Sequence, residues 1–145
     1  MPIISDCYVL APSRSSRLSQ AFMDEFVPSR VSTFDPSDPV DVLGVSEGYS
    51  PSDLLSHLET NTTVSYSLYY RNTENQPPYY AILAYNNDGS LILGLSCDED
   101  ETSAREMLGR LEAFAGSFGY WGVEEAPTIS QVEFEDRKKL ENEST

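Results

Sequence analysis

The stretch YYAILAYNNDGSLILGLS, residues 79–96, decides how this chain folds. It consists of two mostly apolar runs, Tyr79 to Tyr85 and Leu91 to Ser96, that flank the turn Asn86 to Gly89. The Asp-Gly pair in this turn readily takes the positive φ angles that tight hairpins need. The stretch therefore predicts two antiparallel strands joined by a short turn.

A third strand is predicted immediately upstream, from Thr63 to Arg71, where apolar or aromatic residues alternate with the rest. One face would carry Val64, Tyr66, Leu68 and Tyr70, and the other Ser65, Ser67, Tyr69 and Arg71. Strict alternation is typical of a half-buried strand. A loop containing Pro77 and Pro78 joins this strand to the hairpin, so we predict an antiparallel meander from Thr63 to Ser96.

Downstream of the hairpin, apolar residues recur at steps of three and four, which predicts a helix that begins near Asp100. Its apolar members are Ala104, Met107, Leu108, Leu111, Phe114 and Phe118. Four acidic residues precede it, where negative charge suits the helix dipole, and Gly116 or Gly119 can end it. We expect Leu108, Leu111 and Phe114 to be buried.

The remaining segments complete a single α+β domain over residues 1–134, an antiparallel meander packed against helices. The predicted strands outside the meander are Ile3–Leu10, Val40–Val45, Tyr120–Val123 and Thr128–Phe134, the last two as edge strands. Further helices are expected before Pro28 and after Ser50, and residues 28–41 are expected to form a loop. Residues 135–145 are charged and without periodicity, so this C-terminal tail is expected to fray.

Charge limits the classes of partner, because the chain has 24 acidic and 9 basic residues and a net charge of −15. The stretch from Asp35 to Glu101 contains twelve acidic residues and a single basic residue, Arg71, so its net charge is −11. Such a field repels nucleic acid and anionic membranes, and it favours a basic protein partner. The alternative is that the charge serves solubility alone.

The cellular compartment is expected to be the cytoplasm. No apolar run approaches the roughly 20 residues that cross a bilayer, and the first residues do not resemble a secretory signal. Cys7 and Cys97 are then expected to be free thiols inside or beside strands.

Residues for catalysis or metal binding are scarce, so we expect no enzyme activity, metal or cofactor. His57 is the single histidine and lies between leucines on a predicted helix. Neither cysteine belongs to a metal or redox motif, and no phosphate-binding, nucleophile-elbow or zinc-protease motif occurs. The run Asp98 to Glu101 lacks the ligand spacing of a calcium loop.

The residues expected to bind a partner are acidic or aromatic. Tyrosines crowd two neighbouring strands, and alternation places some of them outside the core, where tyrosine is a frequent interface anchor. The alternative is that both strand faces are covered. The predicted partner-binding residues are Asp98, Glu99, Asp100, Glu101, Glu124, Glu125, Tyr69 and Tyr80.

The region 79–127 resembles bacterial immunity proteins of polymorphic and contact-delivered toxin systems. The similarity lies in the hairpin of residues 79–96, the acid-led helix after it, and the closing segments Gly119-Tyr120 and Glu124-Glu125-Ala126-Pro127. The resemblance implies a cytosolic protein that binds and neutralises a cognate toxin. Many such toxins are nucleases with basic surfaces, to which an acidic inhibitor is complementary.

Two other functions stay open from the sequence. The first is a phage-type nucleic-acid mimic or anti-defence inhibitor, which would also be acidic and catalytically inert. The second is a small enzyme of unknown chemistry. The sequence does not determine the oligomeric state.

Overall fold

A six-stranded antiparallel sheet organises the computed structural model, which describes residues 4–32, 51–123, 127 and 130–143. The strands are β1 (Ile4–Leu10), β2 (Arg30–Ser32), β3 (Tyr66–Asn72), β4 (Tyr80–Tyr85), β5 (Leu91–Asp98) and β6 (Tyr120–Val123). The helices in these described ranges are α1 (Ser16–Phe26), α2 (Pro51–Thr60), α3 (Glu101–Ala115) and α4 (Gln131–Glu143). This architecture confirms the predicted α+β class and single domain.

The strand order across the sheet is β2-β3-β4-β5-β1-β6, and every neighbouring pair is antiparallel. β3, β4 and β5 are neighbours both in the chain and in the sheet, which confirms the predicted meander. β1 lies between β5 and β6, with Cys7 opposite Leu95 on one side and Trp121 on the other.

The chain after α1 differs from the loop predicted for residues 28–41. Arg30–Ser32 lies within that range but forms the edge strand β2, because pairing with β3 satisfies its backbone groups. The predicted strand Val40–Val45 lies outside the described residues.

The turn between β4 and β5 has the predicted hairpin chemistry. Gly89 adopts a φ of 88°, a conformation that costs glycine little. The Asn86 amide donates to the Ser90 carbonyl at 2.9 Å, and the Ser90 amide donates to Asp88 Oδ1 at 3.0 Å. The turn therefore fixes the β4–β5 register, in which Leu83 lies opposite Leu93.

One face of the sheet, the inner face, packs against α1, α2 and α3 and forms the main core. From α3 the buried residues are Ala104, Met107, Leu111 and Ala115. The prediction for Leu111 is confirmed, but Leu108 and Phe114 are only half-buried because they flank this stripe. Phe118 is not a helical residue, since α3 ends at Ala115, and it is 77% exposed.

The other face, the outer face, is covered at one end by α4. Phe134 is fully buried there, with its ring centroid 5.3 Å from that of Tyr120. Tyr120 in turn lies 5.8 Å from Tyr8, and these aromatic rings form a second, smaller core.

The C-terminal region departs from the predicted secondary structure. The sequence predicts an edge strand over Thr128–Phe134, but residues from Gln131 onward are helical. The reason is a pair of caps: the Ser130 hydroxyl accepts from Glu133 N, and Asp88 Oδ2 accepts from Gln131 N. Residues 135–143 belong to α4, and the expected fraying of this tail stays a prediction.

Candidate functional site

The candidate site is the part of the outer face that α4 leaves accessible. On β3, Leu68 and Tyr70 enter the main core. The alternate residues Tyr69 and Arg71 therefore project to the outer side. The same alternation places Tyr80, Ile4 and Asp98 on this side. We define the open face as these five residues, all of which are half-buried or exposed: Ile4, Tyr69, Arg71, Tyr80 and Asp98.

The two tyrosines predicted as anchors are neighbours on the open face. In the β3–β4 register, Tyr69 lies opposite Ile82 and Arg71 lies opposite Tyr80, so Tyr69 and Tyr80 are diagonal neighbours. Tyr69 is 38% exposed and Tyr80 is half-buried. Diagonal cross-strand side chains lie within reach of one another, so the two rings can present one continuous aromatic surface.

A buried carboxylate adjoins this aromatic surface. Asp6 of β1 is 6% exposed and shares the outer side with Tyr8, since Cys7 between them enters the main core. Burial, followed by the negative charge of Asp6, raises the pKa of Tyr69. Asp6 therefore adds negative potential to the open face, although it belongs to the opposite half of the sheet.

Of the four acids at the start of α3, two are held by the helix itself. Asp100 is the N-cap, and its carboxylate accepts from Ser103 N at 2.7 Å, which lowers the pKa of Asp100. Glu101 accepts from Arg105 Nε at 2.7 Å, one turn further along. Both carboxylates thus have local structural partners, although both are exposed.

The other two acids have more freedom to meet a partner. Glu99 is exposed in the turn between β5 and α3. Asp98 ends β5 and accepts a 2.7 Å hydrogen bond from the Tyr79 hydroxyl through Oδ1, an interaction that raises the pKa of Tyr79. An ionised carboxylate offers about four acceptor positions, so Asp98 retains capacity for a further donor. The predicted residues Glu124 and Glu125 lie outside the described residues.

An open groove of about 400 Å³ runs between the open face and the β3–β4 loop. The residues that line it include Arg71, Glu74, Tyr79, Tyr80 and Asp98. Its volume falls at the small end of the roughly 300–1,000 Å³ range of ligand pockets, which suits one or two side chains.

The loop that forms one wall of the groove is held by the buried amide of Asn72. Asn72 Nδ2 donates to the Pro78 carbonyl at 2.9 Å, while its Oδ1 accepts from Glu74 N at 3.0 Å. The Tyr79 amide also donates to the Ser96 carbonyl at 2.9 Å. These bonds pre-organise the wall, which lowers the entropy cost of binding.

Among the site residues that the sequence does not single out are Ile4, Asp6, Asn72 and Glu74. Asp6 is within reach of prediction, because alternation within the first predicted strand places it on the opposite face from Cys7. The proximity of Asp6 to Tyr69 cannot be predicted from the sequence, because it depends on β1 pairing with β5 rather than with another strand.

The histidine and the two cysteines lie outside the open face. His57 is half-buried in α2. Cys7 and Cys97 are buried free cysteines, as predicted, and Cys7 Sγ donates to the Ala104 carbonyl at 3.4 Å. The neighbouring Cys97 thiol, together with burial, raises the pKa of Cys7. Among the described residues, no three His, Cys, Asp or Glu side chains are grouped so that they could hold a metal ion. Nor does any helix in these ranges have the length and apolar character needed to cross a membrane.

The open face and its groove therefore combine aromatic area, hydrogen-bonding side chains and excess negative charge on one accessible surface. Comparison of the chain with models of known protein families, with curated proteins and with solved structures finds no match.

Proposed function

We propose that this chain is an immunity protein that binds a basic surface of a cognate bacterial toxin through its open face and thereby neutralises the toxin. The observation that carries the proposal is the juxtaposition of Tyr69 and Tyr80 on an accessible part of the sheet. The toxin as partner follows from the resemblance of residues 79–127 to immunity proteins, and the open face supports the binding role.

The aromatic pair would contribute most of the free energy that stabilises the bound complex. Tyrosine buries a large area at little conformational cost, and such residues are enriched among interface hot spots, where truncation costs about 2 kcal/mol or more. The main chain of Tyr80 is held in the unbound protein, because its backbone amide donates to Ser96 Oγ at 2.9 Å. A pre-positioned anchor loses less entropy when a partner covers it.

Charge would determine which partner binds and how fast it associates. The net charge of −15 attracts a basic protein and repels acidic ones. Asp98 is an exposed residue of the open face and Glu99 is its exposed neighbour in the chain, so this attraction guides a basic partner toward the two tyrosines.

The experiment begins with capture of the partner on immobilised wild-type chain from the source organism and identification by mass spectrometry. The captured protein is then expressed in a bacterial host, alone and together with this chain. We expect the partner alone to arrest growth and co-expression to restore it. A captured protein that has no effect on growth, or whose toxicity this chain does not relieve, would contradict the proposal.

Variants connect the rescue to the open face. Tyr69→Ala and Tyr80→Ala in combination should abolish rescue while the protein stays folded. Phe118→Ala is the matched control, because Phe118 is an exposed aromatic residue next to β6, three strands away from β4 in the sheet. Equal rescue by the double variant and the control would remove the open face from the interface.

A further inference from the structure

The groove beside the open face contains the elements that recognise a guanidinium group. Asp98 offers a carboxylate that accepts from the Tyr79 hydroxyl, and Tyr80 lines the same groove. A planar cation that stacks on an aromatic ring while donating to a carboxylate uses both groups at once. Glu74 adds a second carboxylate to the lining.

The chain already uses this pairing of arginine with tyrosine inside its own structure. The guanidinium of Arg14 lies 5.0 Å from the ring centroid of Tyr85, and that of Arg137 lies 5.9 Å from the centroid of Tyr120. Within the groove the tyrosines are accompanied by two carboxylates and by the cation Arg71, so the local charge favours a positive guest. The repulsion from Arg71 is offset by the surrounding negative field.

We infer that this groove binds an arginine side chain projecting from the surface of a basic protein partner. The guanidinium would stack on Tyr80 and donate to the second carboxylate oxygen of Asp98. The inference rests on the proposed function for the origin of that arginine, but recognition of the side chain itself can be tested without the partner.

The probe is the tripeptide Gly-Arg-Gly with acetyl and amide ends, titrated into isotopically labelled wild-type protein and followed by NMR. Amide shifts should concentrate on residues 71–80 and 96–99, and the lysine analogue should bind more weakly because it lacks the planar fork. Shifts spread over the acidic surface, with equal affinity for the two peptides, would overturn the inference.

Substitutions separate a specific groove from the general negative field. Asp98→Asn should weaken arginine-peptide binding about tenfold through loss of a charge-assisted hydrogen bond. Glu106→Gln removes the same charge from the exposed surface of α3 and should weaken binding less than about twofold. Equal losses in the two variants would show that only net charge matters, which contradicts the groove.

The role of the ring has its own pair of variants. Tyr80→Ala should weaken binding about threefold to fivefold through loss of the cation–π contact, and Tyr80→Phe should retain most of the affinity. Loss of affinity in both would overturn stacking as the mode of recognition.

Failure of the groove and failure of the proposed function can be distinguished. Arginine-peptide binding that follows this pattern, in a chain that rescues no toxin, would confirm the groove and refute immunity. Toxin rescue that is lost in the Tyr69 and Tyr80 double variant, in a chain that shows no groove shifts on peptide addition, would support immunity through the open face and refute the groove.

Discussion

The guanidinium of Arg14 is buried against the ring of Tyr85, 5.0 Å from its centroid. It also forms hydrogen bonds to three separate segments of the chain. Its three nitrogens donate to four backbone carbonyls, at distances of 2.6 to 3.0 Å. These carbonyls belong to Leu58, Asn61, Val64 and Asn86. Arg14 thus joins the end of α2, the α2–β3 connection and the β4–β5 turn.

Replacement of Arg14 by alanine should destabilise the fold strongly. Hydrogen bonds to charged groups contribute about 1.5–3 kcal/mol each, and the carbonyls left behind would lose their donors. Because such contributions are not additive, we expect a loss of about 3–5 kcal/mol in the free energy of unfolding, measured by urea denaturation.

The matched control is Arg17→Ala, which removes an exposed arginine from α1 and should change stability by less than about 0.5 kcal/mol. A loss at Arg14 no greater than at Arg17 would show that the four carbonyls find other donors, and that Arg14 does not hold these segments.

Two glycines should respond to alanine in opposite directions. A Cβ on Gly119 would meet the backbone carbonyl oxygen of Tyr8 at 1.9 Å, and a backbone atom cannot rotate away as a side chain does. Gly119→Ala should therefore destabilise the protein by about 1–3 kcal/mol or more, the usual cost of overpacking.

Gly109, by contrast, lies inside α3, and a Cβ added there would meet no neighbouring side chain or other packed atom within 4 Å. Alanine at this position should stabilise the fold by about 0.5–1 kcal/mol, because it reduces the entropy that the helix loses on folding. Thermal unfolding of both variants tests the pair, and a destabilising Gly109→Ala would contradict the exposed position of that residue.

Acid should loosen the attachment of α4, because Asp88 joins the β4–β5 turn to the first residue of this helix. Although burial opposes the effect, hydrogen bonds from Ser90 and Gln131 hold the pKa of Asp88 below its usual value. A lowered pKa in the folded state means that this stabilisation is complete above the unfolded pKa of about 4 and is lost as pH falls through the folded pKa.

The ring-proton NMR shifts of Phe134 report this attachment, since the ring packs on Tyr120. We expect them to move toward solvent-exposed values as pH falls below about 4. Asp88→Asn should remove this response, while Asp100→Asn, at a carboxylate whose pKa is also lowered and which caps α3, should retain it. An acid response that is identical in both variants would exclude Asp88 as its origin.

The same contact explains why part of the structure could not be predicted from the sequence. The meander and α3 follow from local periodicity and from a turn whose residues are adjacent. Helix α4 depends on a cap supplied by Asp88, which is 43 positions away from Gln131. Ser130 caps the helix locally, but the residues from 135 onward have no apolar periodicity, so the pattern alone does not indicate a helix. The contact with Asp88 and the burial of Phe134 complete its stabilisation.

Part of the candidate site could likewise be predicted from the sequence, and part could not. Alternation along β3 is enough to place Tyr69 outside the core, and the tyrosine excess on two strands is enough to nominate Tyr80. Their juxtaposition depends on the β3–β4 register, and the contribution of Asp6 depends on β1 pairing with β5. The division of the acidic run into held and available carboxylates requires the cap geometry of α3.

That division leads to a prediction for the rate of association with the captured basic partner. Asp98 belongs to the open face and Glu99 follows it in the chain, whereas Asp100 and Glu101 lie at the start of α3, where they pair with Ser103 and Arg105. Exposed charges act mainly on the association rate, which falls as salt screens them over a Debye length of about 8–10 Å. The double variant Asp98→Asn, Glu99→Gln should therefore associate more slowly at low salt and depend less on salt.

The control removes two charges from a different surface, as Glu106→Gln with Glu133→Gln, and leaves the open face intact. Stopped-flow association at about 20 and 300 mM salt spans the range over which screening becomes strong. We expect the first pair to lose several-fold in rate at low salt, while the control loses less and retains its salt dependence. Unchanged kinetics in the Asp98 and Glu99 variant would remove these carboxylates from the encounter surface and leave solubility as the role of the acidic charge.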